Sequence, residues 1–160
     1  MGAPARRPWL VGLAGLLLVS SLAGCASQKE SYCSTLRSDN ARLQKLASTS
    51  GRPGSQVLHG SLTIFEDLHR AAPQDIAGDW DDFSFAWKQL VDAFDAAHVD
   101  PATFDPEHRP AGVSEAEFEQ IKQAAAALSA EPVRLAARRI EDHAQTVCKV
   151  SLGGGGLGGL

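Results

Sequence analysis

The strongest constraint on the fold is a stripe of large apolar side chains between positions 76 and 94. Pro73 lies just before this stripe, and Asp75 and Asp79 lie near its start, where a helix favours proline and negative charge. Steps of three and four residues follow the period of an α-helix, so we predict a helix over about 74–98 at the centre of the core. The stripe consists of Ile76, Trp80, Phe83, Trp87, Leu90, Val91 and Phe94.

The rest of the region 31–152 also has a helical period, which predicts helices over about 29–49 and 55–71, one that starts near Ser114, and one from Pro132 to about Cys148. A glycine and proline cluster at 50–54 separates the first helix from the second, Pro73 follows the end of the second, and a proline-rich segment at 99–113 follows the third. Ser114 and Glu117 have the spacing of a capping box. The stripe of the last helix is predicted to end at Ala144 and Val147, and whether the last two helices are one kinked rod stays open.

Within 31–152 we find no alternating pattern rich in β-branched residues, so strands are not expected. The predicted fold class is all-α: a bundle of four to five mostly antiparallel helices after a cleaved lipoprotein signal peptide. Residues 153–160 are mostly glycine, and we predict a disordered tail there.

The first 25 residues differ in kind from the rest. Arg6 and Arg7 precede an apolar run over 9–22, which is typical of a secretory signal. The run ends in Leu22-Ala23-Gly24-Cys25, which resembles the bacterial lipobox. That resemblance implies that residues 1–24 are removed and that Cys25 carries a diacylglyceryl group. An uncleaved membrane anchor, and a secretory signal cut elsewhere, are the alternatives.

On this prediction the mature protein hangs from the outer face of the cytoplasmic membrane by the lipid on Cys25, because two acyl chains anchor a protein stably. Residues 25–30 form the lipidated cysteine and a polar tether, and residues 31–152 form the helical domain. Loss of two arginines with residues 1–24 changes the formal net charge from −4 to −6. An anionic bilayer repels such a domain, so we expect it to stand off on the tether.

Once Cys25 is assigned to lipid, two cysteines remain in an exported chain, Cys33 and Cys148. Export implies a compartment in which disulfides form, so we predict a bond between them. The bond would enclose the 114 residues between them and stabilise the fold by roughly 4–5 kcal/mol in the chain-entropy model. A redox or metal role is the alternative, and it lacks a Cys-x-x-Cys motif.

Other candidate functional residues carry weaker signals. Trp80 and Trp87 are seven residues apart, which favours core packing, with a ligand groove that exposes one indole as the alternative. The five histidines show no helical pair with metal-ligand spacing, so we expect no metal and no cofactor. The acidic residues between 79 and 107 favour a solvated face over weak binding of a divalent cation.

The motifs of nucleophilic catalysis and of phosphate binding are missing from the sequence, so we expect no enzyme. The acidic balance also argues against a nucleic-acid partner, since phosphate contacts need clustered lysine and arginine.

The mature region resembles a family of small uncharacterised helical lipoproteins of actinobacteria, over most of residues 31–152. The resemblance implies an envelope location and a helical fold, and it carries no activity. The glycine tail departs from the family pattern. The matching segments are Tyr32-Cys33-Ser34-Thr35-Leu36, the nine residues 72–80, Val99-Asp100-Pro101, and Ile140-Glu141-Asp142-His143 with Cys148.

Together these features predict a membrane-anchored extracytoplasmic lipoprotein that acts as a non-catalytic binding or interaction module in the cell envelope. Its partner would be an unknown envelope protein. The alternative is a small-ligand-binding lipoprotein that serves a transporter or a sensor, with Trp80 and Trp87 in its groove.

Overall fold

A computed structural model describes residues 20–48 and 51–152, with side chains from residue 28 onward except that of Ala47. The predicted glycine tail lies outside the described residues, and so does most of the predicted signal peptide. The described residues contain five α-helices and no strand, which confirms the all-α bundle. The helices are α1 (Ser20–Ser48), α2 (Gly54–Ala71), α3 (Ala77–Ala97), α4 (Glu115–Leu128) and α5 (Glu131–His143), with a 3₁₀ turn (Pro101–Thr103) and a π-helical turn (Ala144–Cys148).

The helix α3 lies at the centre, as its apolar stripe predicts. The first half of α3 packs in the larger core cluster, where Trp80 and Phe83 meet α1, α2 and α5. The last turns of α3 form a second cluster with α4, in which Phe94 packs near Phe118 and Ile121. The helix α5 therefore covers the first half of α3, and α4 covers its second half.

The helices α1 and α2 are antiparallel. Near the start of α1, Gln28 donates a hydrogen bond to the carbonyl oxygen of Ala72, just beyond the end of α2. Near the end of α1, Leu46 lies against Gly60 in the first half of α2. The bundle therefore has one end that holds residue 28 of α1 and the turn at 72–76, and an opposite end that holds the start of α2.

The helices α4 and α5 are separate, which settles the alternative that the sequence left open. Ser114 and Glu117 form the predicted capping box at the start of α4. The helix ends at Leu128, and Ser129 and Ala130 connect it to α5, which has Pro132 in its first turn. Proline is favoured there because its missing N–H has no partner inside the helix.

Two predicted helix starts are wrong. The helix α3 begins at Ala77 instead of about 74, because residues 74–76 form a turn and Ile76 has a non-helical backbone (φ −129°, ψ 7°). The helix α1 begins at Ser20 instead of about 29, so residues 25–30, predicted as a tether, are helical. No helix in the described part of the chain is both long and apolar enough to cross a membrane.

The end of the last helix also differs from the prediction. A regular helix would place Val147 on the inward stripe after Ile140 and Ala144. The π-helical turn adds one residue to the turn, so Cys148 is buried and Val147 is 40% exposed. The chain then leaves the helix at Lys149, which has a left-handed backbone (φ 57°).

Candidate functional site

The disulfide predicted from the cysteine count is present. Cys33 and Cys148 are bonded, with their Cα atoms 5.1 Å apart, and both are buried in the larger core cluster. Hydrogen bonds hold the chain on either side of Cys148: Arg37 donates to the Cys148 carbonyl oxygen, and Asn40 donates to that of Ser151. The bond therefore joins α1 to the π-helical turn at a place where the two segments already pack.

Both tryptophans of the candidate groove lie in the core. Trp80 is fully buried, and its Nε1–H donates to the hydroxyl of Tyr32 at 3.1 Å. Trp87 is 6% exposed and donates to the carbonyl oxygen of Leu58. Phe65 packs edge-on against Trp87 at 5.1 Å between ring centroids. The indoles therefore follow the core-packing alternative, and neither offers an exposed face to a ligand.

A polar cluster surrounds His143 next to the disulfide. His143 is buried, and its ring meets that of Tyr32 edge-on with centroids 5.6 Å apart. Its Nε2 lies 3.7 Å from a carboxylate oxygen of Asp75, which also lies 3.7 Å from the ammonium of Lys29. These distances are too long for hydrogen bonds, and neither ring nitrogen of His143 has a hydrogen-bond partner.

The same burial sets the pKa values in this cluster. Loss of solvation raises the pKa of Tyr32 to about 12. The hydrogen bond from Trp80 acts to lower this pKa, and the charge of Asp75 acts to raise it further. Loss of solvation also lowers the pKa of His143, against the attraction of Asp75 and with the repulsion of Lys29. His143 is therefore neutral at pH 7, and the cluster works as a packed polar part of the core.

A polar depression lies between α1 and α2, with a volume of about 510 Å³. Asp39 lines it and is 3% exposed, and its Oδ1 accepts from Arg42 at 2.7 Å. Its other oxygen, Oδ2, has no hydrogen-bond partner. Asp67 accepts from both Arg42 and Arg70. The other lining residues are Ser34, Thr35, Ser38 and Ala71.

This depression is lined by charges of both signs, and one lining residue, Asp39, has a buried acceptor without a partner. The pKa of Arg42 is raised, chiefly by its hydrogen bond to Asp39, so the guanidinium stays a cation. A buried carboxylate oxygen without a partner leaves part of its desolvation cost uncompensated, which a donor from a ligand would offset. The chemistry available here is recognition of a polar group by charged and hydroxyl side chains.

Sequence reasoning missed Asp39. The residue lies three positions after Leu36 and four before Leu43, so it occupies the inward stripe of α1 that those residues define. A charged residue at an apolar position of a helical stripe is the signal that could have identified it, since such residues are rarely buried unless paired.

The histidines outside this cluster lie at the surface or at its edge, three of them beside an acid. Nε2 of His59 is 3.0 Å from Asp95, and Nε2 of His69 is 2.7 Å from Asp81. His108 contacts Asp105 within the loop after the 3₁₀ turn. His98 caps the end of α3 with a left-handed backbone. Among the residues the structure describes, no three histidines, cysteines or acids gather as a metal site.

The predicted lipidation site, Cys25, lies in the first part of α1, and its side chain is outside the described residues. Comparisons of the chain with protein-family models, with curated proteins and with solved structures found no match. The functional assignment therefore depends on the residues themselves.

Proposed function

We propose that this protein is a lipid-anchored, extracytoplasmic binding module of the cell envelope, held at the membrane by Cys25 and without catalytic activity. The observation that carries the proposal is the Cys33–Cys148 bond. Structural disulfides are typical of exported proteins and rare in the cytosol. Export in turn supports reading Arg6, Arg7, the apolar run and Leu22-Ala23-Gly24-Cys25 as a lipoprotein signal.

Metabolic labelling with radioactive palmitate in a bacterium that processes lipoproteins tests the anchor. The protein should take up label, and Cys25→Ala should take up none. Ser27→Ala is the matched control, because it changes a neighbouring side chain and leaves the Leu-Ala-Gly-Cys segment intact; it should label normally. Equal labelling of Cys25→Ala would overturn the proposal.

A small-ligand-binding role is the second candidate, and the depression between α1 and α2 favours it. The groove at Trp80 and Trp87 does not serve this role, since both indoles are buried. Asp39 lines the depression and has a buried carboxylate oxygen without a partner, while Arg70 is exposed on the same lining. A small zwitterion with an ammonium group and a carboxylate matches these two charges.

Nuclear magnetic resonance with alanine and with glycine betaine as probes tests this second role. Both probes carry a carboxylate, and only alanine has N–H donors for Asp39. Alanine should shift the amide signals of residues 34–39 and 67–71, and betaine should not. Asp39→Asn should abolish the shifts, whereas Asp92→Asn, which alters an exposed acid on α3, should keep them. Shifts that persist in Asp39→Asn, or no shifts with alanine, would refute a ligand site here.

A further inference from the structure

We propose that the end of the bundle that holds the turn at 72–76 lies directly against the lipid headgroups, with the long axis of α1 pointing away from the membrane. The inference rests on the proposed anchor at Cys25 and adds which surface faces the bilayer. It replaces the expectation that the domain stands off on a tether.

The first side chains of α1 that the structure describes already contact the rest of the bundle. Gln28 donates to the carbonyl oxygen of Ala72 at 3.2 Å. The next residue, Lys29, lies 3.7 Å from Asp75 in the following turn. Tyr32 and Cys33 are then buried in the core. The contacts with the bundle therefore extend back along α1 to residue 28, the first residue whose side chain the structure describes.

Only a short length of chain connects this contact to the proposed anchor. Residues 25 and 28 are three positions apart, and α1 is helical through both, so they are separated by about 4.5 Å along the helix axis. Full extension would reach only about 10 Å. The headgroup layer on each side of a bilayer is about 5–8 Å thick. Even an extended connection would leave Gln28 at the outer edge of that layer.

An upright bundle is favoured over one that lies flat on α3. Exposed acids run along α3, from Asp81 and Asp82 near its start to Asp92 near its end. An anionic leaflet repels these carboxylates. At the anchored end, Lys29 lies 3.7 Å from Asp75 and offsets the charge of that carboxylate. The charges therefore disfavour contact through the α3 side of the bundle.

The upright arrangement places a different set of residues far from the membrane. The start of α2 and the 3₁₀ turn meet at the opposite end, where Asp100 accepts from the backbone nitrogen of Gly54 at 2.9 Å. About 20 helical residues of α1 separate the two ends, which corresponds to roughly 30 Å. The loop over 98–114 is thus the surface that the anchored protein presents outward.

Fluorescence quenching in reconstituted vesicles tests the arrangement with the full-length lipidated protein. Gln74→Cys and Glu107→Cys each receive a fluorescent thiol label; both positions are exposed, one at each end. The vesicles contain phosphatidylcholine, phosphatidylglycerol and a phosphatidylcholine whose headgroup carries a nitroxide quencher. We expect quenching several-fold stronger at position 74 than at position 107.

An insertion provides the matched control. A flexible Gly-Ser segment of about 20 residues between Ala26 and Ser27 has a root-mean-square span of roughly 25 Å, so it should lower the quenching at position 74 to that at position 107. Equal quenching at both positions of the uninserted protein, or quenching at position 74 that survives the insertion, would overturn the inference. Mass spectrometry of the same sample separates the two proposals. If Cys25 carries no lipid, both the anchor and this inference are refuted. If Cys25 carries lipid and the two positions are quenched equally, only the arrangement is refuted.

Discussion

Removal of the Cys33–Cys148 bond should cost this domain a large share of its stability. Cys33→Ala with Cys148→Ala removes a cross-link between positions 115 apart in sequence. A closed loop of this length lowers the entropy of the unfolded chain enough to stabilise the fold by about 5 kcal/mol. Small domains are stable by only about 5–15 kcal/mol in total.

The loss should arise in the unfolded state, because other contacts keep the two segments together in the folded one. Arg37 donates to the carbonyl oxygen of Cys148, and Asn40 donates to that of Ser151, each at 3.1 Å. We therefore expect a double variant with unchanged helical content. Its unfolded chain is less compact, so the dependence of the unfolding free energy on urea should also become steeper.

Urea unfolding followed by circular dichroism, with all samples in the same detergent, measures both quantities. The unsubstituted protein under reducing conditions is the matched control, because it keeps both sulfur atoms in the core and loses only the cross-link. Both the reduced protein and the double variant should unfold with a free energy lower by about 5 kcal/mol. A loss below about 1 kcal/mol in the reduced protein would refute the chain-entropy reasoning.

Three further predictions concern the close contact between Gly54 and Ala102, the cap of α4 and the buried His143. Gly54→Ala places a Cβ atom 2.5 Å from the backbone nitrogen of Ala102, so the thermal midpoint of unfolding should fall by several degrees. In the control variant Gly78→Ala, the added Cβ meets nothing within 4 Å, and the thermal midpoint should stay equal or rise. An unchanged thermal midpoint in Gly54→Ala would contradict the contact. Ser114→Ala removes the cap of α4 and should lower the urea unfolding free energy by about 1 kcal/mol, and no change would argue against the cap. The pKa of His143 is lowered from 6.5, so its stabilising contribution is present above pH 6.5 and decreases as the pH falls from 6.5 through the folded-state pKa. His143→Phe should therefore flatten the pH dependence of the unfolding free energy between pH 7 and 5. An unchanged pH profile would assign that dependence to other groups.

The part of the fold that could be predicted depends on periodic signals. The stripe from Trp80 to Phe94 identifies α3, since each member of a helical stripe supports the others. The cap of α4 was predictable because Ser114 and Glu117 satisfy each other locally. The disulfide was predictable because the expectation of export and an even number of remaining cysteines leave few choices.

Features that depend on tertiary contacts could not be predicted in the same way. Pro73 favours a helix start, yet residues 74–76 form a turn, in which Asp75 lies near Lys29 and His143. The π-helical turn is another case: its extra residue brings Cys148 to Cys33, and no local pattern encodes it. Propensity is a weak guide where packing decides.

The candidate site shows the same division. Trp80 and Trp87 have the spacing of either a core or a groove, and only the packing of Tyr32 and Phe65 around them distinguishes the two. The burial of Asp39 depends on how α1 meets α2 and on Arg42, which reaches both Asp39 and Asp67.

Mass spectrometry of a non-reduced digest of the protein, purified from a bacterium that processes lipoproteins, tests the central claim most directly. The account predicts a first peptide that begins at Cys25 and carries a diacylglyceryl group, together with a peptide pair joined through Cys33 and Cys148. A mature protein that retains residues 1–24 with an unmodified Cys25 thiol would contradict it.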